Sequence, residues 1–170
     1  MTEASEKVVK STEAGSAEAG KYLTFTLVGE EYGIGILKIK EIIGMMPVTS
    51  VPRTPDFVKG VVNLRGKVIP VIDLRMRFGL EATDYTERTC IVVVEISGKG
   101  NDILIGLVVD SVSEVLNIKA GDIVDTPAFG AQVQTGFILG MAKMEGGVKI
   151  LLDIDKVISS DALVFLEEAA

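Results

Sequence analysis

The 170-residue chain has no histidine and no tryptophan, and only one cysteine, three tyrosines and six phenylalanines. Without histidine it lacks the commonest general base, the commonest metal ligand and every Ser-His or Cys-His arrangement. A single cysteine excludes an internal disulfide and a multi-cysteine zinc site. Cys90 opens the apolar run Cys90-Ile91-Val92-Val93-Val94, the setting of a buried, inert thiol. Few aromatics and a net charge of −7 leave nucleic acid no stacking platform and no counterion release, and anionic lipid repels such a chain. The longest uncharged stretch, 126–142, is interrupted by Pro127 and three glycines, so it is no membrane span. No secretory signal is visible after Met1. These absences point to a cytoplasmic protein without metal or cofactor, whose partners are other proteins.

What is present is branched and aliphatic. At 48% hydrophobic, rich in Val and Ile, the chain can bury a sizeable core and favours strands. Residues 1–20 have little to bury and read as a disordered tail. Strands are expected at 22–27 and 32–36. Residues 38–43 alternate with period two until the paired Ile42-Ile43. Pro47, Pro52 and Pro55 mark an irregular connection, with a single helical turn expected at 54–57. The stretch 60–74 reads as a hairpin turning at Arg65-Gly66. Pro70 lacks an N–H, so its strand should lie at an edge or carry a bulge. A short helix follows, with Asp73 near its start and Gly79 as its stop.

The same order then recurs. Strands are expected at 89–96 and 103–109 around a turn at 98–102. Ile105-Gly106-Leu107 matches Tyr32-Gly33-Ile34, and Val112-Ser113-Glu114-Val115-Leu116 matches Ile39-Lys40-Glu41-Ile42-Ile43. A second irregular connection spans 125–134. The stretch 140–154 repeats 60–74, with the same opening glycine and the same closing Asp. Two matched segments in one order indicate a duplicated β module. Each copy has about five short strands, enough for a small closed barrel that hides its edges. The halves divide at about 86/87, with strand exchange between them possible, and Ser159-Ser160-Asp161 starts a last helix over 159–170.

Asp73 and Asp153 invite a paired-carboxylate reading, yet they stand at equivalent strand exits, where Asp bonds to backbone N–H groups. Asp125-Thr126-Pro127 lacks the glycine and second copy of an aspartic-protease triplet. Gly98-Lys99-Gly100-Asn101 is too short for a phosphate loop. Glu41 has its counterpart in Glu114, which the fold explains as readily as function does. Arg65 differs, because its counterpart is Glu145. The turn is therefore expected to accept either charge, and Arg65→Glu should leave the fold intact. A solvated turn charge and a recognition residue both remain open for Arg65. Ile39, Val112 and Val115 read as core, or as the lining of a seam between barrels.

Glu31-Tyr32-Gly33-Ile34, Lys38 to Ile42, Phe57 to Gly66, Ile69 to Arg75 and Val108 to Val112 together resemble the CheW family of chemotaxis coupling proteins. The likeness covers about residues 21–166, and Asn63-Leu64-Arg65-Gly66 followed by Pro70-Val71-Ile72-Asp73-Leu74-Arg75 is its most specific part. The resemblance implies a mainly β fold of two five-stranded SH3-like barrels sharing a core. It implies a non-enzymatic adaptor between chemoreceptor cytoplasmic tips and the regulatory domain of the histidine kinase CheA, recruited to receptor arrays. A coupling module of another receptor–kinase pathway, in motility or development, is the alternative. By resemblance, Arg65 and Glu41 contact the receptor tip, Ile39, Val112 and Val115 line an apolar groove beside them, and Pro127 and Phe129 meet the kinase. Val124-Asp125 departs from the basic and proline character expected just before that kinase loop.

Overall fold

The computed structural model describes residues 18–81, 84–97, 102–127 and 136–158. The expected tail falls outside these except for 18–20, and Gly20 already begins a strand. Of the turn expected at 98–102, residues 98–101 lie outside the described residues and Asp102 begins a strand; Phe129 and the helix over 159–170 also lie outside them.

The elements run β1 (Gly20–Leu27), β2 (Glu30–Gly35), a 3-10 turn (Ile36–Lys38), β3 (Ile39–Gly44), β4 (Val58–Leu64), β5 (Lys67–Asp73) and α1 (Leu74–Arg77). Then come β6 (Cys90–Ser97), β7 (Asp102–Val109), β8 (Ser111–Ile118), a 3-10 turn (Ala120–Asp122), β9 (Ile123–Val124), β10 (Ile138–Met144), β11 (Gly147–Leu152) and α2 (Ile154–Val157). They form a six-stranded sheet in the order β8-β1-β2-β11-β10-β9 and a five-stranded sheet in the order β3-β6-β7-β5-β4. The mainly β class with two small sheets holds. The sixth strand, β9, has two residues, and the isolated bridge Thr49↔Val61 stands in its place in the other sheet.

The halves of the sequence exchange strands, so a cut at 86/87 does not separate the sheets. β1 and β2 pair with β8 and β11, whereas β6 and β7 pair with β3 and β5. The parallel junctions are equivalent, with Leu151 opposite Gly33 and Val71 opposite Gly106. A side chain at either glycine would press on its neighbours: a Cβ at Gly106 would come within 2.7 Å of Ile91 and one at Gly33 within 3.0 Å of Leu151. Two crossovers carry the chain from sheet to sheet, Ile36–Lys38 after β2 and Asp110 after β7.

Three apolar layers result. Ile69, Val71, Ile91, Val93 and Val108 fill the interior of the five-stranded sheet. Tyr22, Ile118, Ala142 and Leu151 fill that of the six-stranded one. Leu23, Phe25, Ile34, Val92, Val94, Ile105 and Leu107 form the shared layer between them. Alternate residues of β6 enter different layers, and this is why Cys90–Val94 is apolar throughout rather than alternating.

Both aspartates at the strand exits cap helices. Asp73 accepts from the Arg75 amide at 3.0 Å, and Asp153 from the Asp155 amide at 3.2 Å. The stop of α1 is a Schellman motif: Leu80 N–H donates to Arg75 O at 2.8 Å and Gly79 N–H to Met76 O at 3.0 Å, with Gly79 at φ +72°. Two expectations need correction. Residues 54–57 form no helix; the Val58 amide donates to Pro55 O at 3.0 Å, which closes a simple turn. Pro70 lies in β5, an interior strand, and the bulge of that pair is on β4, between Val58 and Gly60. Pairing of β5 with β7 starts at Val71, so on that side the ladder asks no N–H of Pro70.

Candidate functional site

The tip of the β4–β5 hairpin is a two-residue turn in which Arg65 has φ +54° and Gly66 φ +86°. Positive φ at both central positions is the primed geometry that matches strand twist, and Asn or Gly usually carries it. Asn63 steadies it, its Oδ1 accepting from the Gly66 amide at 2.8 Å. The Arg65 side chain is 70% exposed, and its Nη2 donates to Oε1 of Glu41, which is 31% exposed. The Glu41 carboxylate pushes the Arg65 guanidinium further above its ordinary value.

Glu41 lies on β3 and Arg65 at the end of β4, the two opposite edges of the five-stranded sheet. A side-chain bond between them therefore marks where the sheet curls round to meet itself. In the six-stranded sheet the equivalent positions, Glu114 and Glu145, are both acidic. There Lys149 of β11 donates to Glu31 of β2, which also accepts from Ser113 of β8 at 3.2 Å. Lys149 holds the Glu31 carboxyl below its usual range.

Register places the apolar candidates. Ile39 is opposite Val94, and Val112 is opposite Phe25. Directly opposed residues point to one face, so both side chains face the shared layer, and both pack half-buried against it. Val115 is opposite Leu23 and faces the same way, but β8 is the sheet edge and Val115 stays 48% exposed. The Cys90 thiol, pushed up by burial, meets the Val112 backbone. This contact sets β8 against β6, which lies between β3 and β7 in its own sheet. Bulges at Lys40 and Ser113 let Ile39 and Ile42, like Val112 and Val115, share that face. Thr24 serves the β8 bulge, donating to Glu114 O at 2.8 Å and accepting from the Glu114 amide at 3.2 Å.

The structure thus brings Arg65 and Glu41 together and puts Ile39, Val112 and Val115 on the rim of the shared layer. Sequence reasoning missed Ile42, opposite Val92 and 45% exposed, which is the counterpart of Val115. The paired Ile42-Ile43 was the signal, since neighbours on a strand face opposite sides and only one of the two, Ile43, packs on the barrel interior. Pro127 is exposed after β9.

A family comparison matches a CheW-like domain to residues 21–162. The chain belongs to the CheW family. It is 40% identical over 157 residues to the chemotaxis protein CheW of Klebsiella aerogenes, covering 92% of each chain. It is 33% identical over 139 residues to that of Rhizobium meliloti, covering 82% of this chain and 87% of the relative. The crystal structure of the scaffolding protein TtCheW from Thermoanaerobacter tengcongensis superposes with a TM-score of 0.74 at 34% identity, covering 85% of this chain and 96% of that one. CheW-type chemotaxis scaffolds are thus its relatives in both sequence and fold. Among the described residues no helix is long and apolar enough to cross a membrane.

Proposed function

We propose that the chain is a non-enzymatic adaptor that couples chemoreceptor cytoplasmic tips to the regulatory domain of the histidine kinase CheA, and that it is recruited to receptor arrays through these contacts. The observation that carries this reading is the Arg65–Glu41 pair standing beside apolar edge residues that face a shared core and remain partly open. An amphipathic receptor hairpin laid along β3 and β8 would cover Ile39, Val112 and Val115, with Ile42 beside them. Apolar burial of about 25 cal/mol per Å² supplies most of the affinity before ordering costs are subtracted. Arg65 and Glu41 set the register and reject wrong partners. Pro127 and Phe129 are assigned to the kinase contact. Asp73 and Asp153 are read as capping residues, both carboxylates holding helix N-termini.

Arg65→Gly tests this reading. Glycine adopts the φ of this turn at no steric cost, so the variant should melt at or above the parent temperature. Loss of an anchoring arginine should weaken binding to a receptor-tip fragment by about tenfold or more, with kinase-domain affinity unchanged. An unchanged titration with receptor tips would remove Arg65 from the site.

A further inference from the structure

The two crossovers between the sheets are equivalent in the repeat but chemically unlike. At Asp110, one carboxylate oxygen accepts from the Val28 amide at 2.7 Å and the other from Arg75 at 3.1 Å. That crossover is closed by its own polar bonds. At Ile36–Lys38 the corresponding position is Leu37, whose exposure is 94%. The turn around it is pinned. The Ile39 amide donates to Ile36 O, Ile36 and Ile39 pack on the shared layer, and Lys38 reaches Asp155 of α2 at 2.7 Å.

A leucine held outward contributes nothing to folding through burial. On a pinned turn, covering it costs little ordering beyond its own rotamers. Its charged neighbours are already matched, Lys38 by Asp155 and Lys40 by Glu95 at 3.3 Å. An apolar surface can therefore close over the turn without stranding a charge. The turn leads straight into β3, two residues before Ile39 and four before Glu41, so Leu37 lies within about 13 Å of Glu41 along the chain.

We propose that Leu37 is a further anchor for the receptor tip, a knob at the end of the β3–β8 face that inserts between apolar side chains of the docked helical hairpin. The proposal rests on the receptor-binding reading above. The full-length protein carrying Leu37→Ser, with Arg65→Gly as reference, is titrated with a soluble receptor-tip fragment and separately with the kinase regulatory domain. Leu37→Ser should keep the parent melting temperature, bind the tip about tenfold more weakly and bind the kinase domain as before, and Leu37→Met should recover most of the loss. If Leu37→Ser binds the tip like the parent while Arg65→Gly does not, the Leu37 proposal is overturned and the receptor-binding reading stands. If neither variant alters tip binding, that reading fails and Leu37 with it. Loss of kinase-domain binding alone would place Leu37 in a different contact and also overturn the proposal.

Discussion

Arg65 combines two unusual properties, a charge without a counterpart in the repeat and a left-handed backbone. Sequence comparison caught the first only. Glu145 suggested that either charge would serve at this tip, yet Glu145 is absent from the residues with positive φ, and the second turn gains its reversal from Gly146 and Gly147 instead. Arg65→Glu would also set a second carboxylate against Glu41. The expectation of an undisturbed fold therefore passes from Arg65→Glu to Arg65→Gly. Arg75 offers the opposite case, a charge whose role is internal. It is fully buried, and its guanidinium meets Asp73 at 2.9 and 3.1 Å and Asp110 at 3.1 Å. These carboxylates, Asp73 first, raise the guanidinium further above its ordinary value. Arg75→Met should cost about 3–5 kcal/mol in urea denaturation, because Asp73 is left buried and charged without its partner. Asp73→Asn added to it should recover part of the loss. A single variant as stable as the parent would show that the ion pair does not hold the fold.

At the scale of elements, the hairpins β4–β5 and β10–β11 show how one design is reused with local changes. Both return to their half through the same bond, Asp73 N–H to Phe57 O and Asp153 N–H to Phe137 O, each 2.8 Å. The ion pairs that follow are reversed in sign. Arg75 of α1 meets Asp110 at one crossover, and Asp155 of α2 meets Lys38 at the other. The bulge in β4 depends on Gly60, at φ +142°, where a Cβ would lie 1.9 Å from Thr49 O and break the Thr49–Val61 bridge. Gly60→Ala should lose at least about 1–3 kcal/mol through backbone strain alone, read from thermal or urea unfolding. Gly44→Ala, with open space at its Cβ, serves as the control and should be nearly neutral. Equal effects from the two would mean that the close approach at Thr49 is unimportant.

For the whole molecule, strand exchange makes the two halves inseparable. Fragments 1–86 and 87–170 would each lack partners on both sides of their first hairpin: β1 and β2 need β8 and β11, and β6 and β7 need β3 and β5. Neither fragment should unfold cooperatively by circular dichroism, and mixing them should restore a cooperative transition. Cooperative melting of an isolated half would show that each copy closes on itself. Much of this protein was legible without its structure. The strand class, the duplication, the capping roles of Asp73 and Asp153 and the singularity of Arg65 follow from side-chain period and turn chemistry, which act over a few neighbouring residues. The exchange itself was not legible, because the copies offer nearly interchangeable edges. Gly33 and Gly106 suit either hairpin arm, and no local preference says whether β5 or β11 lies beside them. Only the packing of both sheets on one shared layer decides that pairing. It also decides that Arg65 meets Glu41 and that Ile42 and Leu37 stay exposed, since these depend on residues brought together from distant parts of the chain.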